Sequence, residues 1–248
     1  MPQPVLKSGS DEQARHVSRM FDRIAGWYDF LNHLLSLGLD IYWRRCLVRL
    51  VRPGSSGRVL DLAAGTLDVA CEIVRQHPSM KVLALDFSLP MLQRGRRKLH
   101  GHRAQAISVA LADGRRLPVA DASVDCVTIA FGIRNIIPRQ TAFSEIFRVL
   151  RPGGRLCILE FGTGRERIWG GVYNFYLRKI LPGVGRMVSG DDRAYRYLAE
   201  TILAFPDAAA LERELNDCGY AEVTYRAMLS GIVYLHAAHK PAQPEIAP

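Results

Sequence analysis

Apolar residues alternate along the chain between short continuous runs and longer stretches in which they recur every three to four positions. The runs are seven to ten residues long and rich in Val, Leu and Ile, as is typical of strands buried on both faces. They lie at residues 57–63, 81–87, 106–113, 124–133 and 154–162. Helical patterns follow at residues 67–76, 89–100 and 141–151. This alternation predicts an α/β fold, with a parallel sheet covered by helices on both faces.

The N-terminal part of the chain does not share this alternation. Residues 15–52 carry apolar positions at helical spacing, with a break near residues 35–39, and they predict two helices that form an N-terminal cap. Residues 1–14 are polar and predict a disordered leader. We expect everything after the leader, residues 15–248, to form a single domain.

The C-terminal part predicts a different kind of strand pairing. Two β-like runs at residues 221–229 and 231–239 are joined by little more than Ser230. Such a short connection predicts an antiparallel hairpin added at the edge of the sheet. Before the hairpin, residues 163–205 carry mostly helical patterns, and we expect them to form a helical insertion.

Composition indicates the class of protein and the compartment in which we expect it. The chain of 248 residues is 48% hydrophobic and 23% charged, which is typical of globular proteins. Its first residues lack the apolar core of a secretory signal, and no apolar run reaches the length of about 18–20 residues that spans a bilayer. The five cysteines are scattered without a C-x-x-C pair, so we expect reduced thiols, no metal site and a cytoplasmic location.

The net charge of +9 permits several partners. Its basic residues are spread out, with small clusters at residues 44–49 and 94–98 and no interleaved aromatic residues. This distribution favours a solvated basic surface over a nucleic-acid interface. An attraction to anionic lipid headgroups at the inner face of the membrane stays open.

Acidic residues stand where the first three predicted strands end. Asp61 closes the first strand, Asp86 closes the second 25 residues later, and Asp113 closes the third. An acid after the second strand can accept both hydroxyls of a ribose, and ligands of such sheets bind outside the carboxyl ends of the strands. Three acids would repel a pyrophosphate, but they suit S-adenosylmethionine, which has a ribose, an adenine and a sulfonium.

Two other interpretations of these acids have to be weighed. An aspartate after a strand is also a common helix cap or turn former, although three in register are less expected by chance. A nicotinamide-dependent oxidoreductase is the second alternative. The turn after the first strand, Ala63-Ala64-Gly65-Thr66, lacks the G-x-G-x-x-G of dinucleotide sites, and the predicted C-terminal hairpin also argues against that class.

Several segments together resemble one known family. They read FDRIAGWYDFLNHLLSLGLDIYWRR, LDLAAGTLDVA, FGIRNI, RVLRPGGRLCILEFG, YRYLAETILAFPD and GIVYLHAAHK. From about residue 17 to residue 240 the chain is similar to the ubiquinone/menaquinone biosynthesis C-methyltransferases. The resemblance implies the class I S-adenosylmethionine-dependent fold, Rossmann-like, with a doubly wound, mostly parallel sheet of seven strands. It implies methylation of a ring carbon of a prenylated quinol: demethylmenaquinol, or alternatively the related benzoquinol of ubiquinone biosynthesis.

The resemblance also implies which residues form the site. Cofactor-binding positions would be Asp61, Gly65, Thr66, Asp86, Asp113, Gly114 and Ala130, with Asp61 and Gly65 beneath the cofactor and Ala130 contacting it through its backbone. On the acceptor side, Arg134 would stabilise the phenolate, Asn135 would orient the ring and Tyr28 would close over the cofactor. The alternatives are that Arg134 pairs with an acid elsewhere and that Tyr28 belongs to the core. His236 could act as a base or be an ordinary strand histidine.

Three positions depart from the family pattern. Leu67 replaces a usual glycine, Asp40 replaces a usual histidine, and Gly162 replaces a usual serine. The first two leave open a non-catalytic member that binds cofactor or quinone within a complex. The aromatic and basic residues of 163–190 suggest an apolar lid that touches the membrane, against an ordinary covering layer. A homodimer also stays open.

Overall fold

A computed structural model describes residues 36, 38–52, 57–162 and 192–242. Its strands are β1 (Arg58–Leu62), β2 (Lys81–Asp86), β3 (Ile107–Leu111), β4 (Val124–Ala130), β5 (Leu150–Phe161), β6 (Ala221–Met228) and β7 (Val233–His239). They form one seven-stranded sheet in the order β3-β2-β1-β4-β5-β7-β6. β1 to β5 are parallel, whereas β7 runs antiparallel to both β5 and β6. The predicted fold class and its C-terminal hairpin are therefore confirmed.

Helices precede and connect the strands. They are α1 (Leu39–Val48), α2 (Asp68–Gln76), α3 (Leu89–Arg96), α4 (His102–Ala106), α5 (Arg139–Val149), α6 (Asp192–Ala204) and α7 (Ala208–Asp217). Two of them begin at side-chain caps, which satisfy a free backbone N–H of the first turn. The Ser88 hydroxyl accepts from the Met91 N–H at the start of α3, and the Asp207 carboxylate accepts from the Ala210 N–H at the start of α7. Across the described ranges, no helix is both long and apolar enough to cross a membrane.

The sheet separates two apolar layers. Successive residues of a strand point to opposite faces, so Val59 and Leu60 of β1 belong to different layers. One layer packs β1 and its neighbours against α1 and α2, with Trp43 and Leu47 fully enclosed. The other packs them against α5 and α7, and Phe143 lies at its centre without solvent exposure. This double cover leaves the carboxyl ends of the strands as an open edge.

Element boundaries differ from the sequence expectation at three strands. The run 106–113 contributes a strand only from Ile107 to Leu111, because α4 occupies the residues before it. The run 124–133 leaves the strand after Ala130, since Phe131 adopts a left-handed backbone with φ of 56°. Conversely, β5 begins at Leu150, directly after α5, rather than at residue 154.

The division into leader, cap and insertion stays a prediction. α1 lies within the predicted cap of residues 15–52, and α6 lies within the predicted insertion of residues 163–205. The predicted leader and the proposed lid of residues 163–190 lie outside the described residues.

Candidate active site

A cleft opens at the carboxyl ends of β1, β2, β3 and β4. It encloses about 840 Å³, with the open solvent at its mouth included. The residues predicted from sequence that line it are Gly65, Asp86, Asp113, Gly114, Ala130 and Asn135. Apolar side chains line it beside them: Leu62, Met91, Phe131, Ile136 and Ile137. The cleft therefore combines an acidic part with an apolar part.

The loop after β1 and the end of β2 are held together by Asp86. One carboxylate oxygen of Asp86 accepts from the Gly65 N–H at 2.8 Å, and the other accepts from the Ser88 N–H at 2.8 Å. The loop can turn this tightly because Ala63, Gly65 and Leu67 all have positive φ. These two bonds hold the Asp86 carboxylate in place at the edge of the cleft that it lines.

Asp61 and Thr66 lie under the same loop and do not line the cleft. Both are almost completely buried, with relative exposures of 1% and 3%. The Thr128 hydroxyl donates to Asp61 Oδ1 at 2.8 Å, while Oδ2 is buried without a hydrogen-bond partner. Burial raises the pKa of Asp61 to about 7, against the opposing effect of the Thr128 hydrogen bond. Asp61 is thus a buried carboxyl with one unsatisfied oxygen below the predicted cofactor position.

Asp113 at the third strand end is paired with Arg115. The guanidinium Nε and Nη2 and the backbone N–H of Arg115 all donate to its carboxylate, at 2.7–3.1 Å. Burial alone would raise the pKa of Asp113, but these bonds from Arg115 hold it below its ordinary value. Among the described lining residues, Arg115 is the only cation, and Asp113 balances its charge.

These contacts fit the predicted cofactor better than a dinucleotide. A pyrophosphate needs free backbone N–H groups or unbalanced cations, whereas here the Gly65 N–H is bound to Asp86 and the described cation of the lining is bound to Asp113. S-adenosylmethionine carries no phosphate and has a positive charge. The carboxylates of Asp86 and Asp113, which both line the cleft, suit such a ligand.

Arg134 and Asn135 sit in a 3-10 turn, Ile133–Asn135, that follows β4. The buried guanidinium of Arg134 donates through Nη1 to Glu160 Oε1 at 2.7 Å and to the Phe131 carbonyl. Arg134 does not line the cleft, and the pairing with Glu160 is the structural alternative that the sequence left open. Its predicted contact with the acceptor stays a prediction.

Asn135 does line the cleft, and its partner was missed from the sequence. The Tyr197 hydroxyl of α6 donates to Asn135 Oδ1 at 3.2 Å. Tyr197 belongs to the YRYLAE segment that carried part of the family resemblance, but helical spacing alone did not distinguish it from a packing residue. Tyr28, the third residue predicted on the acceptor side, lies outside the described residues.

His236 and Asp40 lie away from the cleft lining. The His236 ring is 2% exposed and donates through Nε2 to the Ala208 carbonyl at 3.2 Å. Burial lowers its pKa to about 4, which supports the interpretation as a packed strand histidine. Asp40 is buried, accepts from the Ser36 hydroxyl at 2.7 Å and pairs with Arg44. Aspartate at this position therefore holds the start of α1.

The other two departures from the family pattern, Leu67 and Gly162, fit the packing around them. Leu67 is fully buried and fills space beside Gly95 of α3, where an added Cβ would lie 2.5 Å from the Leu67 Cγ. An added Cβ at Gly162 would lie 2.6 Å from the Tyr234 ring and would also overlap the Gly231 carbonyl. In this chain the serine usual at position 162 would overlap both groups. Neither Leu67 nor Gly162 belongs to the cleft lining.

Comparison with known proteins identifies the family. The sequence model of the ubiE/COQ5 methyltransferase family matches residues 7–240. The demethylmenaquinone methyltransferase of Mycobacterium marinum is 43% identical over 235 residues, which are 95% of this chain and 98% of the relative. The ubiquinone/menaquinone biosynthesis C-methyltransferase UbiE of Geobacter sulfurreducens is 42% identical over 231 residues, 92% and 90% of the two chains.

Solved structures support the fold alone. A SAM-dependent methyltransferase of Thermotoga maritima has a TM-score of 0.65 at 17% identity and covers 90% of this chain and 99% of its own. The [4+2]-cyclase SpnF has a TM-score of 0.66 at 15% identity, with 93% and 97% covered. A cyclase and a methyltransferase are thus equally similar in shape, so the architecture does not fix the activity. The family is shown by the sequence match over residues 7–240, and the chain belongs to the ubiE/COQ5 methyltransferase family.

Proposed function

We propose that this protein transfers a methyl group from S-adenosylmethionine to a ring carbon of demethylmenaquinol. The observation that carries the proposal is the cleft itself, in which the acids Asp86 and Asp113 adjoin an apolar part that contains Ile136 and Ile137. One part suits a nucleoside, and the other suits an apolar ring. Relatives that match at 41–43% identity over 93–96% of this chain are named demethylmenaquinone methyltransferases, which favours the naphthoquinol as acceptor.

The cofactor would be held by the acidic part of the cleft. Asp86 would accept from the ribose hydroxyls, Asp113 from the adenine amino group, and the backbone of Ala130 would contact the cofactor from the end of β4. When bound, S-adenosylmethionine supplies an already activated methyl group. The protein's own contribution is therefore mainly to hold the acceptor carbon in line with that methyl group, since orientation removes much of the entropic barrier.

The apolar part of the cleft would bind the acceptor ring. Phe131 lines it with its ring centroid 4.5 Å from that of Phe161, and Trp43 packs behind both at 6.2 and 6.5 Å. Phe131 has a positive φ, and strained backbone conformations of this kind cluster at functional sites. Phe131 would present its apolar side chain to a quinol, with the other two rings packed against it.

Charge on the acceptor would be stabilised from the 3-10 turn. A quinol becomes more reactive at carbon as its hydroxyl loses a proton, and a hydrogen-bond donor aimed at that oxygen favours this change. Asn135 lines the cleft and can supply such a donor. Arg134 lies behind it, and its ion pair with Glu160 ties the turn that carries Asn135 to β5.

A benzoquinol is the second candidate acceptor. The relative from Geobacter sulfurreducens carries a name that covers both ubiquinone and menaquinone biosynthesis. Both quinols have a ring hydroxyl next to the methylated carbon, so the same cleft chemistry serves either.

We also propose peripheral association with the inner face of the membrane. The prenyl tail of the acceptor is apolar, and three exposed aliphatic side chains lie on or within two residues of the cleft lining: Leu89, Leu111 and Ile137. The net charge of +9 adds attraction to anionic lipid. Co-sedimentation with anionic and neutral vesicles tests this, and absence of binding to both would contradict it.

A homodimer stays a proposal that ultracentrifugation can test.

Methyl transfer is tested with labelled S-adenosylmethionine and two reduced short-chain acceptors, a demethylmenaquinol and a benzoquinol. We expect label in the naphthoquinol ring and a strong loss of cofactor affinity in the Asp86→Ala variant. The Asp217→Ala variant, on an exposed end of α7, serves as the control. Cofactor binding without methylation of either acceptor would refute the proposal and favour a non-catalytic role.

A further inference from the structure

Tyr197 contacts the one polar side chain of the 3-10 turn that faces the cleft. Its hydroxyl is 3.2 Å from Asn135 Oδ1. Burial raises the pKa of Tyr197, with the Arg134 charge acting in the opposite direction. The phenol is therefore protonated at neutral pH and can donate. Because Asn135 Oδ1 accepts from it, the amide has a fixed orientation, with Oδ1 toward α6 and the Nδ2 hydrogens directed elsewhere.

The backbone of Asn135 is already fixed without Tyr197. Its N–H donates to the Gly132 carbonyl at 3.1 Å. A Cβ added to Gly132 would overlap that of Ala63, so the turn lies directly against the loop that follows β1. What the backbone leaves free is the rotation of the Asn135 amide about its side-chain bonds, and this is the freedom that the Tyr197 hydroxyl removes.

We propose that Tyr197 is a positioning residue, which holds the Asn135 amide so that its Nδ2 donates to the ring oxygen of the acceptor. This inference rests on the proposed function, since it concerns the acceptor oxygen of that reaction. A donor that is fixed before the acceptor binds costs no reorientation when charge develops. Without the phenol, the amide would rotate and would present oxygen or nitrogen to the cleft.

The alternative is that Tyr197 only packs α6 against the turn. A matched control is Tyr220, whose buried hydroxyl donates to the Phe143 carbonyl at 3.0 Å, in the core layer away from the cleft. Removing either hydroxyl deletes one hydrogen bond of similar geometry. Only Tyr197 should affect turnover, whereas both variants should lower the melting temperature.

The experiment measures kcat, KM for the quinol and cofactor affinity for Tyr197→Phe, Asn135→Ala, the double variant and Tyr220→Phe. We expect Tyr197→Phe to lower kcat about 3- to 10-fold, the effect of one hydrogen bond, with unchanged cofactor affinity. In the Asn135→Ala background the same change should alter kcat less than about two-fold, because the group it positions is gone. Full turnover in Tyr197→Phe, or an equal loss in both backgrounds, would overturn the inference.

A second readout separates this inference from the proposed function. The side-chain amide signal of Asn135 in a ¹H–¹⁵N spectrum is identified by its absence in Asn135→Ala. It should shift in Tyr197→Phe and stay in place in Tyr220→Phe. If the wild-type protein methylates neither quinol, the proposed function fails, yet this shift still tests the contact. An unmoved signal would overturn the positioning role whatever the acceptor is.

Discussion

Replacing Asp61 by asparagine should stabilise the protein at neutral and alkaline pH. Burial raises the pKa of Asp61 from its ordinary value of 3.8 to about 7. The folded state therefore binds one more proton than the unfolded state over this interval, so stability decreases as the pH rises. Multiplied by 1.36 kcal/mol per pH unit, the difference corresponds to about 4 kcal/mol above pH 7. Asparagine has nearly the same shape, carries no charge and can still accept from Thr128.

The assay is urea unfolding of cofactor-free protein at several pH values between 4 and 8. The quantity to compare is the free energy of unfolding of Asp61→Asn minus that of the wild type, because other groups also titrate in this range. We expect a difference near zero at pH 4 that grows by about 1.4 kcal/mol per pH unit up to pH 7 and then levels off.

Asp113 provides a control of opposite sign. Its pKa is lowered, against the effect of burial, by hydrogen bonds from Arg115. Asp113→Asn should therefore destabilise the protein at neutral pH, and the loss should shrink only below pH 4. A difference between Asp61→Asn and wild type that does not change with pH, or a variant that is less stable at pH 8, would refute the reasoning.

Three further changes test the packing and charge of buried residues. Glu160→Gln leaves the buried Arg134 charge unbalanced, and we expect a loss of about 3–5 kcal/mol in urea unfolding. Gly95→Ala forces a Cβ to within 2.5 Å of the Leu67 side chain, so thermal unfolding should show a loss of about 1–3 kcal/mol. Burial lowers the pKa of His236 from 6.5 to about 4, so wild-type stability should be lost as the pH falls through this interval. In His236→Gln, the free energy of unfolding should fall by up to about 3 kcal/mol less than in the wild type between pH 7 and pH 4.5. Urea unfolding at these two pH values measures the difference.

The sheet was predictable because its strands are the most apolar stretches of the chain. The parallel strands β1, β2, β4 and β5 are largely buried on both faces and leave no polar alternation, and the short link at Ser230 favours a hairpin. The strand-end acids were predictable for the same reason: once parallel strands are assigned, their carboxyl ends share one edge. Asp86 and Asp113 accordingly both line the cleft.

The partners of these residues were not predictable, because they depend on contacts distant in sequence. Arg134 and Glu160 are 26 positions apart, and Tyr197 and Asn135 are 62 positions apart. Nothing local in the sequence specifies such a pair. Leu67 is a different case, since its positive φ contradicts its residue type and is tolerated because its side chain is fully buried against α3.

The separation of Arg134 from the cleft follows from the geometry of the turn that carries it. A 3-10 helix has three residues per turn, so neighbouring side chains project about 120° apart. Asn135 lines the cleft, and Arg134 consequently projects away from it, toward the Glu160 carboxylate of β5. The adjacent polar residues Arg134 and Asn135 therefore have different roles. Asn135 can contact an acceptor directly, while Arg134 ties the turn to β5 and so holds Asn135 at the edge of the cleft.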